Sequence, residues 1–344
     1  MKIEAVATAS IVFCEGKMFS QIYDYENLLR SWKQTCRLKK YREDMMIFRR
    51  NLDENLIIIQ NELIWKTYKV SGYRNYVIYE PKKRLISSLP VRDRIVQHAL
   101  VNVIEPGIDK QFIYDSHACR VGHGLKTAVD RFIRFSKTNK YCLKCDITAY
   151  FTSIDHDVLE RLFRIKIQCE ETLWLIDNIL DSTCSPGLPI GNLLSQLSAN
   201  LYLHELDLYV KHKLGIRFYL RYMDDFVVFS DSRRDLYQIK NCMREFLMKR
   251  LHLTLSERKS VIYETSKGVD YCGFRCFPTH AVVKKDTRKK NYKRMKELSA
   301  ALQDGVITPE EFSESLLSII GHSFYSRNYS YRLNLLDSIS KNLD

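Results

Sequence analysis

Long apolar runs are missing from this 344-residue sequence. The most apolar early stretch, Ala5–Cys14, is diluted by Glu4, Thr8 and Ser10 and is followed by no good cleavage site. That argues against both a signal peptide and a membrane span. A cysteine framework is missing as well: ten cysteines are scattered along the chain. With no export signal they read as reduced core thiols of a cytoplasmic protein. Cys142 and Cys145 have CxxC spacing, but no second pair follows at zinc-finger distance, which argues against a metal or redox role. Acid is in deficit, with 41 Asp and Glu against 54 Lys and Arg and a formal net charge of +13. Such an excess points to a polyanionic partner, not to a fold. At 45% hydrophobic and 12% aromatic, the chain is not globally disordered, and its length allows two or three packed units.

What is present is organised around Phe218–Ser230. The runs Phe218–Tyr222 and Phe226–Phe229 are aromatic and β-branched, which suits strands. Between them Met223, Asp224 and Asp225 suit a tight turn. The stretch predicts a β-hairpin with two carboxylates at its tip and no basic neighbour in the turn. Hard divalent cations choose carboxylate oxygens; the plainer alternative is a solvated acidic turn. Tyr141–Asp146 reads as a buried strand ending in a third acid. Three carboxylates from two separated strands are what a two-metal phosphoryl-transfer site requires, with ions about 3.5–4 Å apart.

Other stretches supply context. Tyr23 to about Leu63 has apolar residues at helical intervals. A basic cluster, Arg37, Lys39, Lys40, Arg42, Arg49 and Arg50, suits a solvated helix face or a phosphate-facing surface equally. Tyr73–Tyr79 and Arg84–Ser88 predict a hairpin whose turn, Glu80-Pro81-Lys82-Lys83, gathers cations suited to phosphates. A helix opens near Asp93, where Arg92 and Arg94 are candidate ion-pair partners. Arg120, beside Gly122 and Gly124, offers a fork to a phosphate or a base. Asp155 predicts an N-cap for a helix at His156. The loop Ser185–Asn192 leads into a helix from Leu193 to about Leu214, where Gly191 permits close backbone approach and Gln196 offers hydrogen bonds. Leu236–Leu251 reads as an amphipathic helix, and Tyr271–Phe277 as a short hairpin. From Lys284 to Lys296 eight cations fall within thirteen residues, and Thr308-Pro309-Glu310-Glu311 opens another helix.

The order of these motifs resembles that of reverse transcriptases over about residues 20–335. It rests on the Tyr222-Met223-Asp224-Asp225 box, the Asp146 strand with Phe151 five residues on, the basic hairpin and the Gly273 hairpin. The resemblance implies an α+β right-hand polymerase fold. Its parts would be an N-terminal extension over 1–20, fingers over 21–136, a palm with an antiparallel sheet over 137–277 and a helical thumb over 278–344. It implies two Mg²⁺ ions held by Asp146, Asp224 and Asp225, with the Ile147 carbonyl as a further ligand. Phe151, beside Tyr150, would be the steric gate against a ribose 2′-hydroxyl. Lys83 and Arg84 would clamp the triphosphate with Gln196 nearby, and Lys259 would sit by the leaving pyrophosphate. Template and primer would meet Arg120, Gly191, Ser195, Met223, Cys272, Gly273, Lys285, Arg288 and Lys289.

Within that family, Ile190-Gly191-Asn192-Leu193-Leu194-Ser195-Gln196 resembles the I/V/L-G-x-x-x-S-Q pattern of diversity-generating retroelement enzymes. Pro90-Val91-Arg92-Asp93-Arg94, Gly321-His322 and Tyr331-Arg332-Leu333 are also similar to that group. The resemblance implies a bacterial or phage-encoded cytoplasmic enzyme without a maturase or endonuclease extension. Such an enzyme copies a template-repeat RNA from a primer and deoxynucleotide triphosphates into cDNA mutated at template adenines. An accessory variability protein that forms an oligomeric barrel would be its partner. The alternatives are another bacterial reverse transcriptase, of retron or antiphage-defence type, and a catalytically silent RNA-binding scaffold.

Overall fold

The computed structural model describes residues 17–37, 42–79, 83–183, 185–324 and 329–343. Most of the expected N-terminal extension, Lys39 and Lys40, and the Glu80-Pro81-Lys82 part of the basic turn lie outside them. Helices Met18–Tyr23 (α1), Tyr25–Cys36 (α2), Glu43–Arg50 (α3) and Leu52–Ile64 (α4) come first. The helical pattern from Tyr23 to Leu63 is therefore not one helix. It starts afresh at Asp24, whose carboxylate accepts a 3.3 Å hydrogen bond from Asn27 N, and breaks again at Asn51, where φ is −124°. Strands Arg74–Ile78 (β1) and Arg84–Ser88 (β2) pair antiparallel, with Tyr76 opposite Ile86. Val91–Asp109 (α5) follows and buries Ile95, Val96, Ala99, Leu100 and Ile104.

Leu125–Ser136 (α6) and Tyr141–Cys145 (β3) are followed by His156–Lys166 (α7) and Glu170–Asp181 (α8). Asp155 caps α7 as its position predicts, accepting from Val158 N at 3.2 Å. Leu193–Leu208 (α9) is buried on nearly every side, as a helix without a polar face must be. The rest runs Tyr219–Tyr222 (β4), Asp225–Ser230 (β5), Arg233–Leu251 (α10), Val261–Glu264 (β6), Val269–Tyr271 (β7), Phe274–Cys276 (β8) and Ala281–Val283 (β9). Lys285–Gln303 (α11), Pro309–Ser323 (α12) and Tyr329–Leu343 (α13) close it. At α12 the Thr308 hydroxyl accepts from Glu311 N while the Glu311 carboxylate accepts from Thr308 N, a reciprocal cap.

These elements form two compact units interleaved along the chain. The first comprises Met1–Tyr114, Ile147–Lys213 and Met243–Leu255. In it α5 packs on α2 and α9. The loop before α9 docks on β2: Ser87 N donates to Ile190 O at 3.1 Å, and a Cβ at Gly191 (φ +114°) would stand 3.2 Å from Ile86. Glycine is needed there for φ and for space.

The second unit comprises Asp115–Asp146, Leu214–Cys242 and Ser256–Asp344. Its main sheet has the order β4-β5-β3-β6, antiparallel throughout. The segment before α6 extends the β4 edge, with Arg221 N donating to Asp115 O and His117 N to Arg221 O. A smaller sheet, β7-β8-β9, has the predicted hairpin as its first two strands. One buried cluster joins α6 (Ala128, Phe132), both sheets (Val227, Phe229, Tyr271, Phe274) and the C-terminal helices (Met295, Phe312, Leu335). This mixture of helices and antiparallel sheets is the expected α+β class.

Candidate active site

The second unit brings the predicted acids together. Lys144 of β3 stands opposite Val227 of β5, and Cys145 opposite Phe226. Carried one step further, that register sets Asp146 opposite Asp225, at the end of the two central strands. Alternation then puts Lys144, Asp146 and Asp225 on one face. Asp224 belongs to the β4–β5 turn, closed by the pair Tyr222 and Asp225. Met223 in that turn has φ +55°, a left-handed conformation that costs a non-glycine residue roughly 1–3 kcal/mol. The Met223 carbonyl accepts a 3.2 Å hydrogen bond from Nη1 of Arg221, which is fully buried.

Burial holds the Asp224 carboxyl above its ordinary range, and the neighbouring Asp225 and Asp146 add to the shift. Burial raises Asp225 too, with Lys144 pulling the other way. Both effects say that ionised carboxylates here want a positive charge beside them. The turn itself carries none, as the sequence predicts, but two lysines arrive from elsewhere in the unit. Lys144 Nζ lies 3.1 Å from Asp225 Oδ1 and donates to Oδ2 at 3.3 Å. Lys259 Nζ donates to Asp146 Oδ1 at 2.7 Å. Lys144 Nζ also donates to Asp270 O of β7 at 2.9 Å.

The remaining candidates divide between the units. In the second, Cys272 (φ +47°) and Gly273 (φ +85°) form the two-residue β7–β8 turn, a conformation that the right-handed twist of a hairpin favours. Arg120 Nη1 donates to Ser116 O at 2.7 Å. Lys285, Arg288 and Lys289 lie on α11 and, with Tyr292, Tyr331 and Asn334, line a basic cavity of about 360 Å³. In the first unit Ile147 is buried and bridges Leu255. Tyr150 is buried with its hydroxyl on Ala199 O, while Phe151 beside it is half-buried, 5.6 Å away ring to ring. Ser195 is buried within α9 and Gln196 is exposed on it. Lys83 and Arg84 are exposed at the start of β2.

Of the arginines before α5, Arg94 Nη2 meets Asp44 at 2.9 Å and Arg92 pairs with Glu62. Asp93 is buried and takes the Tyr68 hydroxyl at 2.7 Å, with Arg92 3.7 Å away. The expected local pairing is therefore only a small part of their role. Cys142 and Cys145 are free and buried in β3, in keeping with core thiols.

The sequence also matches a known family. Residues 77–276 match the model of reverse transcriptase (RNA-dependent DNA polymerase), over half of the chain. The chain belongs to the reverse transcriptase family. It is an RNA-directed DNA polymerase, with the palm-and-fingers polymerase fold of that family. Protein YkfC of Escherichia coli (strain K12) is 24% identical over 315 residues, covering 77% of this chain and 79% of that protein. The group II intron-encoded protein LtrA of Lactococcus lactis subsp. cremoris is 24% identical over 253 residues, 53% of this chain and 42% of that protein. An uncharacterized 91 kDa protein in a cob intron of Schizosaccharomyces pombe is 30% identical over 139 residues, 38% of this chain and 17% of that protein. No described helix of this reverse transcriptase is long and apolar enough to cross a membrane.

The donor set can be tested for divalent ions. Carboxylates are the hard oxygen ligands that Mg²⁺ takes. Asp225 Oδ1 is buried and has no hydrogen bond, although the Lys144 ammonium stands 3.1 Å from it. Among the described residues no three acidic, histidine or cysteine side chains form a ready-made ion cage, and lysines cover two of the carboxylates. The donor types are those that fit Mg²⁺.

Sequence reasoning passed over Lys144 and Arg221. The signal was there for both: each is a charged residue inside an otherwise apolar or aromatic strand, within four residues of a candidate acid.

Proposed function

We propose that this reverse transcriptase copies a template-repeat RNA into cDNA for a diversity-generating retroelement, with Asp146, Asp224 and Asp225 holding two Mg²⁺ ions. In each cycle the primer 3′-oxygen bonds the α-phosphorus of a deoxynucleotide and the α–β bridging bond breaks. Pyrophosphate departs, and the hydroxyl proton passes to water. When bound, the ions lower the pKa of the attacking hydroxyl and neutralise charge on the leaving group. The chain's own part is placement. The three acids and the Ile147 carbonyl supply oxygen ligands, and Lys259 neutralises the leaving pyrophosphate. Lys83, Arg84 and Gln196 hold the incoming nucleotide, and Phe151, packed against Tyr150, excludes a ribose 2′-hydroxyl. Arg120, Gly191, Ser195, Met223, Cys272, Gly273, Lys285, Arg288 and Lys289 hold template and primer.

In this reading residues 1–20 are an N-terminal extension, the fingers cover 21–136, the palm 137–277 and the thumb 278–344. The enzyme works in the cytoplasm, bacterial or phage-encoded, beside an oligomeric accessory variability protein. The observation that supports the metal assignment is the β3–β5 register, which runs to Cys145 opposite Phe226 and, continued by one residue, sets Asp146 opposite Asp225 beside the turn in which Met223 is left-handed. The retroelement assignment is carried by the Ile190–Gln196 pattern. Its test is to sequence cDNA made on an RNA template with and without the accessory protein. Errors concentrated opposite template adenines are expected. Evenly spread, rare errors under both conditions would instead favour a second reading, an intron-type enzyme, towards which the name of the group II intron-encoded relative points.

A further inference from the structure

Strand β3 carries a charged residue to which none of the roles above is given. Of its five residues only Lys144 is charged, and it sits in a central strand of the sheet. Its side chain is 18% exposed and that of Asp225 29%, so the pair is held between packed strands and is no mobile surface contact. The ammonium straddles the carboxylate, but only Oδ2 is met in hydrogen-bonding geometry, and Oδ1 has no hydrogen bond. The second hydrogen bond, to Asp270 O, anchors the ammonium to β7, which runs directly into the Cys272-Gly273 turn. One side chain thus joins β3, the acidic end of β5 and the strand before the β7–β8 turn.

We propose that Lys144 is a positioning residue, a resident counter-ion that orients Asp225 while no metal ion is bound and opposes the ion that takes its place. The inference rests on the metal role proposed for Asp225. An ammonium about 3 Å from a ligand oxygen repels a divalent ion that shares the same carboxylate, and this repulsion is stronger in a partly buried site than in water. Removing the ammonium frees both oxygens, so a divalent ion binds more tightly. The same change removes the contact that fixes the carboxylate, so turnover slows. A lysine with a purely structural role would not give these two effects opposite signs.

The test uses the full chain and Mn²⁺ as the probe, titrated without nucleic acid and read by the electron paramagnetic resonance of the free ion. Single-nucleotide extension at saturating Mg²⁺ is measured in parallel. Lys144→Met is expected to bind Mn²⁺ about 10-fold more tightly while its extension rate falls about 10- to 100-fold, the range for partners of metal ligands. Lys144→Arg keeps the charge and should stay within about 3-fold of the parent in Mn²⁺ affinity. Thermal unfolding establishes that each variant is folded. If Lys144→Met does not fold, Lys144→Gln, which retains a donor for Asp270 O, takes its place with the same tightening expected. A folded variant that binds Mn²⁺ no more tightly than the parent overturns the inference, provided that Asp225→Asn weakens binding. If Asp225→Asn binds Mn²⁺ like the parent, the metal assignment of Asp225 fails, and this inference fails with it.

Discussion

Phe132 is where a single substitution should test the packing behind the acids. Its ring is fully buried in α6, edge-on to Phe229 at 4.9 Å and stacked on Tyr271 at 5.1 Å. Phe229 lies four residues beyond Asp225 on β5, and Tyr271 immediately precedes Cys272. One ring therefore ties the acidic strand to the β7–β8 turn. Phe132→Ala removes the transfer energy of the ring and leaves a cavity, together about 3–5 kcal/mol. The two ring pairs contribute about 0.5–1.5 kcal/mol each beyond buried area. A loss of that size is a large part of the roughly 5–15 kcal/mol that stabilises a typical domain. At about 2–4 °C per kcal/mol for a unit of this size, the melting temperature should fall by about 6–20 °C. Urea unfolding followed by circular dichroism measures the free energy directly, and Phe132→Leu should recover most of it. A fall below about 3 °C for Phe132→Ala would refute the idea that this ring holds the two sheets together.

Three further outcomes are expected. Burial, with the nearby His123 ring, pushes His117 down to about 4; between there and its unfolded value near 6.5 the unfolded chain binds a proton that the folded chain refuses. Its contribution is therefore complete above about pH 6.5 and is lost as the pH falls towards 4, on the order of 1–2 kcal/mol after solvent screening; unfolding of His117→Asn between pH 4 and 7 should show a flatter dependence than the parent. Tyr68→Phe leaves the buried Asp93 without its 2.7 Å donor and should cost about 1–3 kcal/mol in urea unfolding. Asp155→Ala removes both the cap on Val158 N and the 2.8 Å contact with His252, a loss of about 1–2 kcal/mol measurable in the same way.

The parts legible in the sequence are those whose cause is local. The hairpin at Asp224 follows from two apolar runs and a polar turn, the cap at Asp155 from one side chain before a helical pattern, and the Cys272-Gly273 hairpin from glycine at a turn. The α1–α4 stretch is not legible as separate helices, because the breaks at Asp24 and Asn51 interrupt a pattern whose apolar spacing runs on across them. Strand β9 has three residues, too few for alternation to register, and forms because β8 offers it a partner. Lys144 was missed for a different reason. Its partners, Asp225 and the Asp270 carbonyl, are 81 and 126 positions away, and only the pairing of β3 with β5 brings the first of them near. Arg221 likewise owes its burial to distant partners: the extra pairing with Asp115 and His117 encloses it.

The most direct test of the central claim is primer extension on an RNA template with Mg²⁺ and deoxynucleotides, comparing the parent chain with Asp224→Asn. Binding of the primer–template is measured alongside by fluorescence anisotropy. The parent should make full-length cDNA, and Asp224→Asn should lose at least about 100-fold in extension rate, a loss of about 2.7 kcal/mol in transition-state stabilisation, while binding the duplex with nearly parental affinity. Extension by Asp224→Asn at the parental rate would contradict the assignment of these aspartates as the site of nucleotidyl transfer.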